Sequence, residues 1–425
     1  MRTTSNFDIT QTAFLFSWIS NSAVSLTGTE TALAQEVESK LKKALSTFGT
    51  QLGGGSSGWQ ITWGPGVFSL SSQGQSDQKS DNTAFVVYND SLDMYVVAIA
   101  GTNPKSTLDF LVEDGEVDAI KDLVNWQGFD PLGAQPTSTS ANPKMAQISL
   151  STATGLWALA SQLQQVPDSP STESLGEYLK NLNATNAKTQ ILFTGHSLGG
   201  ALAPTLARWF KENSSFQGIT TAMPIAGPTA GNATYQTGWN TKFLSSAAPG
   251  TINEGNIVNR LNYNVKCKQD LVPYAWSFIY KIQQLGSYAD DLFYFKDSSR
   301  SDLYCNGTGQ TIGLDSKMGT LVPGDTEKAI AIAAETNAFV ADYASSLLIN
   351  AFDCQFPMDY IDDNGNSQSF NPCGYSPCDV TTLQYCTPGE FETYFKELAL
   401  VHVWSYGQDA FNIDFSVFQE LSINV

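Results

Sequence analysis

Apolar residues in the first 48 positions recur at helical spacing in two segments. One is marked by Phe14, Leu15, Trp18 and Ile19, and the other runs over 34–48. Side chains three and four apart share one helix face, so both segments predict helices. A glycine-serine stretch at 52–58 breaks the pattern. Alternating apolar and polar positions follow at 59–69 and 84–88, the period of a half-buried strand, with a turn between at 89–93 and a short apolar run at 95–100. Leu108, Leu111, Val112, Ile120 and Val124 fit one face of an amphipathic helix, and a Pro/Ser/Thr-rich loop covers 131–143. Helical periodicity returns at 148–163 and 175–182. The run 190–194 then reads as a buried strand entering a helix over 201–209, with further strands at 220–226 and 256–261. Alternating strands and helices predict an α/β fold with a central, mostly parallel sheet flanked by helices.

From about residue 277 the pattern changes. Positions 280–315 are loop-rich, 327–351 form an alanine-rich helical stretch, and 354–386 are irregular before helical spacing resumes at 390–400 and 411–421. The expected organisation is an N-terminal helical extension (1–58), a core (59–276), a late insertion (277–389) and a C-terminal return to the core (390–425).

Composition narrows the setting. All 6 cysteines, Cys267, Cys305, Cys354, Cys373, Cys378 and Cys386, fall in the last part of the chain. An even number in a polar, aromatic stretch reads as a disulfide-rich insertion in an oxidising compartment; a zinc site at Cys373 and Cys378 is the weaker alternative, since no histidine lies near. Sequons at Asn89, Asn183, Asn213, Asn232 and Asn306 fit a secreted glycoprotein but occur at the frequency chance would give. No apolar run approaches the roughly 18 residues of a membrane span, and residues 1–6 lack signal-peptide character, so secretion implies a signal outside this chain. Of 425 residues, 42% are hydrophobic, enough to exclude wholesale disorder. With 22 basic against 41 acidic residues the net charge is −19, which argues against nucleic-acid partners and stable membrane insertion.

The chemistry concentrates in Gly195-His196-Ser197-Leu198-Gly199. A Gly-x-Ser-x-Gly match is weak alone, and Gly54-Gly55-Ser56-Ser57-Gly58 is a decoy without flanking strand or helix. The later copy has both flanks. A sharp strand-to-helix turn strains the serine, exposes its hydroxyl, and aims a helix N-terminus at developing negative charge. A serine nucleophile needs a base, and the chain has 2 histidines, His196 and His402. His196 lies inside the turn, where its side chain leaves in another direction, so His402 is the candidate base. A carboxylate must orient that imidazole. Asp270, Asp290, Asp291, Asp297 and Asp353 all lie between serine and histidine, and Asp270 in Gln269-Asp270-Leu271-Val272-Pro273 is best placed.

Four ordered features resemble the class 3 (fungal-type) lipase family of α/β-hydrolases: Ala98-Ile99-Ala100-Gly101-Thr102, the elbow at 195–199, Gly227-Pro228-Thr229-Ala230-Gly231-Asn232, and Asp270 to Pro273. The resemblance covers about residues 80–276 plus the His402 region. It implies an α/β-hydrolase fold, with Ser197 as nucleophile, Asp270 as acid and His402 as base. It implies oxyanion-hole amides from Thr102 and Leu198, the Thr102 hydroxyl being a candidate third donor. The implied activity is hydrolysis of lipid esters at a lipid–water interface without metal or organic cofactor. A feruloyl-type or smaller-ester esterase, a phospholipase A1 and a non-catalytic lipid-binding relative share these motifs. The family's mobile lid would fall at 107–126. Ala100 replaces the arginine common before Gly-Thr, residues 264–268 look inserted, and the interval from Asp270 to His402 is long.

Overall fold

The computed structural model describes residues 6–24, 26–53, 58–69, 78–101, 123–140, 142, 144–184, 186–228, 230–243, 261–262, 266–267, 304–305, 358–361, 367–370, 402, 406–407, 411, 413 and 415–421. Thr102, Asp270 and the strand expected at 256–260 lie outside them, as do the alanine-rich stretch and most of the cysteine-bearing insertion.

Among the described residues the centre is a six-stranded sheet in the order β6-β1-β2-β3-β7-β8. Its strands are β1 (Trp59–Phe68), β2 (Asn82–Asn89), β3 (Met94–Ile99), β6 (Gln164–Gln165), β7 (Gln190–His196) and β8 (Ile219–Ile225). The sheet is mixed rather than mostly parallel. The β6–β1, β1–β2 and β2–β3 pairs are antiparallel, while β3–β7 and β7–β8 are parallel. Connection length explains the difference. The turn between Asn89 and Met94 is too short for anything but a hairpin, whereas β7 and β8 are joined through a helix that carries the chain back across the sheet. β1 is bulged around Trp63 and the cis Gly64–Pro65 bond. This mixed sheet with helices on its faces fits an α/β-hydrolase.

Two apolar cores flank the sheet, because alternate residues of a strand point to opposite faces. Val96 and Ala98 of β3 face one core, and Val97 and Ile99 face the other. The first core includes α1 (Ile9–Ser20) and α2 (Glu30–Phe48). α2 buries a single stripe, Leu33, Ala34, Val37, Leu41, Ala44 and Phe48. α1 is buried at every position except Gln11, the pattern of a helix packed on all sides. Its hydroxyls find acceptors inside the molecule: Thr12 donates to the Leu52 carbonyl (3.0 Å) and Ser17 to that of Phe14 (2.8 Å). Asp8 caps the helix by accepting from the Thr10 and Gln11 amides, and Gln11 Oε1 accepts from the Asp8 amide at 2.8 Å. Gln11 Nε2 meanwhile donates to the Phe411 carbonyl (2.8 Å), and Phe14 stacks on Phe411 with ring centroids 4.5 Å apart. The first and last segments of the chain thus share one core.

The opposite core holds α3 (Leu150–Trp157), continued by a π-helical turn at Ala158–Gln162, together with α4 (Leu175–Asn181), α5 (Leu198–Asn213) and α6 (Ala233–Phe243). Where a helix was expected from 148, residues 147–149 instead form β5, paired antiparallel with β4 (Leu123–Asn125). Val124 therefore does not belong to a helical lid face. It is a strand residue buried in the core (6% exposed), while 107–122 lie outside the described residues. Arg208 of α5 ties this side together. Its Nε donates to Glu212 Oε1 (3.0 Å), and its Nη1 donates to the Tyr235 carbonyl (2.8 Å). Burial alone would raise the Glu212 pKa, but the Trp126 indole N–H and the charges of Arg208 and Lys242 outweigh it and hold it low. The described ends of the cysteine-bearing part form small ladders, and the parallel β9 (Lys266–Cys267) and β10 (Tyr304–Cys305) pair Cys267 with Cys305 in register.

Candidate active site

β7 runs to His196, and α5 begins at Leu198; Ser197 alone makes the turn, with φ 60° and ψ −128°. A positive φ is unfavourable for a side chain with a Cβ, and holding such a residue costs on the order of 1–3 kcal/mol. The fold enforces it through the glycines on either side. A Cβ on Gly195 would stand 2.3 Å from the Gly199 carbonyl oxygen, and one on Gly199 would stand 2.5 Å from that of Ile99. No side chain fits either contact, so strand β3, strand β7 and helix α5 close on one another only with glycine at both places. The Ser197 amide donates to the Ile225 carbonyl of β8 (3.0 Å), and its own carbonyl accepts from the Gly200 amide (2.7 Å). Ser197 and Leu198 are half-buried between buried neighbours. As the first residue of α5, Leu198 has an amide that no carbonyl within the helix can reach.

The end of β3 touches the elbow. Gly101 follows it, and a Cβ there would lie 2.9 Å from the His196 carbonyl oxygen and 3.1 Å from Ser197 Cβ. The Gly101 amide donates to Asn21 Oδ1 (2.9 Å), and Asn21 Nδ2 donates to the Ser17 carbonyl (2.7 Å). Asn21 caps the C-terminus of α1 and is 4% exposed. The sequence offers little to single it out. One signal was legible in retrospect: a helix apolar on every side must lie inside, and its caps then lie inside with it. The Gly227–Pro228 turn after β8 backs onto Gly200 from the other side.

His402 is brought to the elbow. It is 4% exposed, and its ring centroid lies 4.6 Å from that of His196, the residue just before Ser197. His196 Nε2 is 2.7 Å from the His402 carbonyl oxygen. The His196 ring does leave the turn in another direction, into the interior, against Trp18 (6.1 Å) and Tyr406 (5.5 Å). Burial first, and then the neighbouring His402 ring, push its pKa well below the usual 6.5, while the hydrogen bond to His402 pulls the other way. The structure thus gathers Ser197 and Leu198 with the Gly101 strand end and sets His402 against His196, the residue before Ser197; Thr102 and Asp270 lie outside the described residues. Among the described residues no cluster of His, Cys, Asp or Glu could hold a metal ion.

Residues 119–278 match the family model described as lipase (class 3). Solved structures similar to this chain include the M37 lipase, 27% identical over 64% of this chain and 71% of that one, with a TM-score of 0.47. The Lip2 lipase from Yarrowia lipolytica is 18% identical over 45% of this chain and 56% of its own, with a TM-score of 0.31. The mono- and diacylglycerol lipase from Aspergillus oryzae is 16% identical over 62% and 71%, with a TM-score of 0.32. A comparison with curated proteins found no match. The family stretch contains β7, the strained serine, α5 and β8. Through residues 119–278, the stretch that carries Ser197, the chain is similar to the class 3 lipase family.

Proposed function

We propose that this protein hydrolyses carboxylic esters of lipids through an acyl-enzyme on Ser197. The observation that carries the reading is the Ser197 turn itself. It is a serine held at φ 60° between a buried strand and a helix N-terminus, inside a stretch that matches the lipase family. Strain of this kind is maintained where the geometry is used. His402 is the base, Asp270 the carboxylate that orients it, and the amides of Leu198 and Thr102 the oxyanion hole. His402 takes the Ser197 proton as Oγ attacks the acyl carbon, and the carbonyl electron pair moves onto oxygen at the two amides. Collapse of the tetrahedral adduct expels the alcohol, which receives the proton from His402. Water then repeats the sequence and releases the acid.

The likeness of residues 119–278 to the lipase family supports the substrate class, and composition supports the setting. The protein acts on ester substrate presented at a lipid–water interface, and it is secreted, with its cysteines cross-linked. Among the described residues no helix is long and apolar enough to cross a membrane. The test is labelling by an active-site phosphonate followed by a panel of p-nitrophenyl esters, triglycerides, phospholipids and feruloyl esters compared by kcat/KM. An adduct on Ser197 and preference for acylglycerols are expected. No adduct would sink the hydrolase reading in favour of a lipid-binding protein. Preference for phospholipid or feruloyl ester would move the substrate to that class.

A further inference from the structure

The second histidine has a place of its own in the site. His196 stands one residue before Ser197 with its ring turned inward, 3% exposed. Its Nε2 lies 2.7 Å from the carbonyl oxygen of His402, 206 positions along the chain. A carbonyl only accepts, so Nε2 carries the proton and the ring donates. The main chain beneath it is fixed from both sides. Gly101 presses on the His196 carbonyl, and the next amide is held by Ile225. The donor is therefore anchored beside the strained serine turn. The acceptor belongs to a C-terminal segment that also reaches the His196 ring through Tyr406, α1 through Phe411 and Phe418, and Lys43 of α2 through the Glu420 carbonyl.

We propose, building on the reading of Ser197 and His402 as nucleophile and base, that His196 is a positioning residue for the base. Its Nε2–H holds the His402 main chain to the elbow, so nucleophile and base are set by one rigid unit. A neutral donor suits the task. His402 must become an imidazolium during turnover, and a lysine or arginine in this place would repel that charge. Burial keeps the His196 ring neutral, so its Nε2–H remains available without adding charge. A shift of about 1 Å in a reacting group costs on the order of 100-fold in rate. One main-chain hydrogen bond is therefore enough to matter.

The test uses the full chain and a soluble ester, p-nitrophenyl butyrate, with His196→Leu, His196→Gln and, as control, His402→Ala. Glutamine places a donor close to the Nε2 position; leucine does not. His196→Leu is expected to lower kcat about 10–100-fold with KM changed less than about twofold, and His196→Gln to recover most of that loss. Parent-like kcat in His196→Leu, or equal loss in both variants, overturns the proposal; the second result would make the residue a matter of packing only. A measurement on the parent protein guards against variants that fail to fold. With only 2 histidines in the chain, 15N-histidine labelling gives two imidazole systems, assigned through His402→Ala. His196 is expected as the neutral Nε2–H tautomer with a slowly exchanging proton. An Nδ1–H tautomer, or a ring that charges between about pH 5 and 8, overturns the proposal. Parent-like turnover in His402→Ala would instead remove the base assignment, a different failure from an active His196→Leu enzyme beside an inactive His402→Ala one.

Discussion

Ser197 holds a backbone conformation that serine adopts only under constraint, and the constraint is made of glycines on either side, one hydrogen bond to β8 and one from the Gly200 amide. The energy stored there is small against the fold but large against a misplaced hydroxyl. Replacing Ser197 or His402 by alanine should lower turnover by about 10⁴-fold or more, read as kcat on a soluble ester; parent-like kcat in either variant would remove that residue from the mechanism. His196 makes a second prediction, about stability. Its folded pKa lies below 6.5 and its unfolded pKa near it, so below about pH 6.5 the unfolded chain binds a proton that the native chain refuses. The stability that neutral His196 contributes is present above that pH. As pH falls it is lost at up to about 1.4 kcal/mol per unit. His402 and Tyr406 are the described titratable groups facing it, and Trp18 on α1 adds no charge. Denaturant midpoints measured from pH 7 downward should fall less steeply in His196→Gln than in the parent. Parallel curves would mean that His196 is not buried neutral.

At the scale of elements, α1 does more than fill space. Its apolar faces pack on the sheet, its N-terminal cap grips the Phe411 carbonyl, and its C-terminal cap holds the amide of Gly101 beside Ser197, the proposed nucleophile. Asn21→Ala leaves that amide buried and unsatisfied, at a cost of about 1–3 kcal/mol in global stability. Because Gly101 precedes the proposed oxyanion residue Thr102, kcat should fall as well, by about 10-fold or more, with KM changed less. Equilibrium unfolding and steady-state kinetics on the same variant would check both. A stability loss with unchanged kcat would make Asn21 a cap and nothing more. The two short antiparallel strands β4 and β5 carry the complementary lesson. Apolar residues at 120 and 124 fit a helix as a pattern, yet Val124 pairs across β4 and β5 because a partner strand lay 23 residues on, from Gln147 to Ser149. Periodicity over so short a stretch cannot see such a partner.

For the whole molecule, the net charge of −19 bears on where the site meets its substrate. An acidic protein approaching an anionic lipid surface is repelled, and salt screens that repulsion: the screening length falls from about 30 Å at 0.01 M to about 8 Å at 0.15 M. Hydrolysis of emulsions rich in anionic lipid should rise severalfold over that range, while hydrolysis of a soluble neutral ester should not. Equal salt responses would show that the approach is not limited by net charge. The same charge does not choose the fold, which rests on two apolar cores, one on each face of the mixed sheet.

The local code was enough for the strands β1, β2, β3, β7 and β8, for the helices at both ends of the core, and for the serine turn. Each depends on residue periods, or on glycines a few positions apart, and these are properties of neighbours along the chain. The two-histidine count likewise left His402 as the proposed base without any coordinates. What local pattern could not contain was long-range pairing. That β1 and β2 run antiparallel beside a parallel half was decided by connection lengths and by how the sheet closes. The placing of α1 within the core, of Asn21 on Gly101 and of the His196 ring on the His402 carbonyl was decided only by packing, which brings positions 80 and 206 residues apart within hydrogen-bond distance. A hydrogen bond between such distant positions leaves no period in the sequence, because its free energy is gained only once the chain between them has folded.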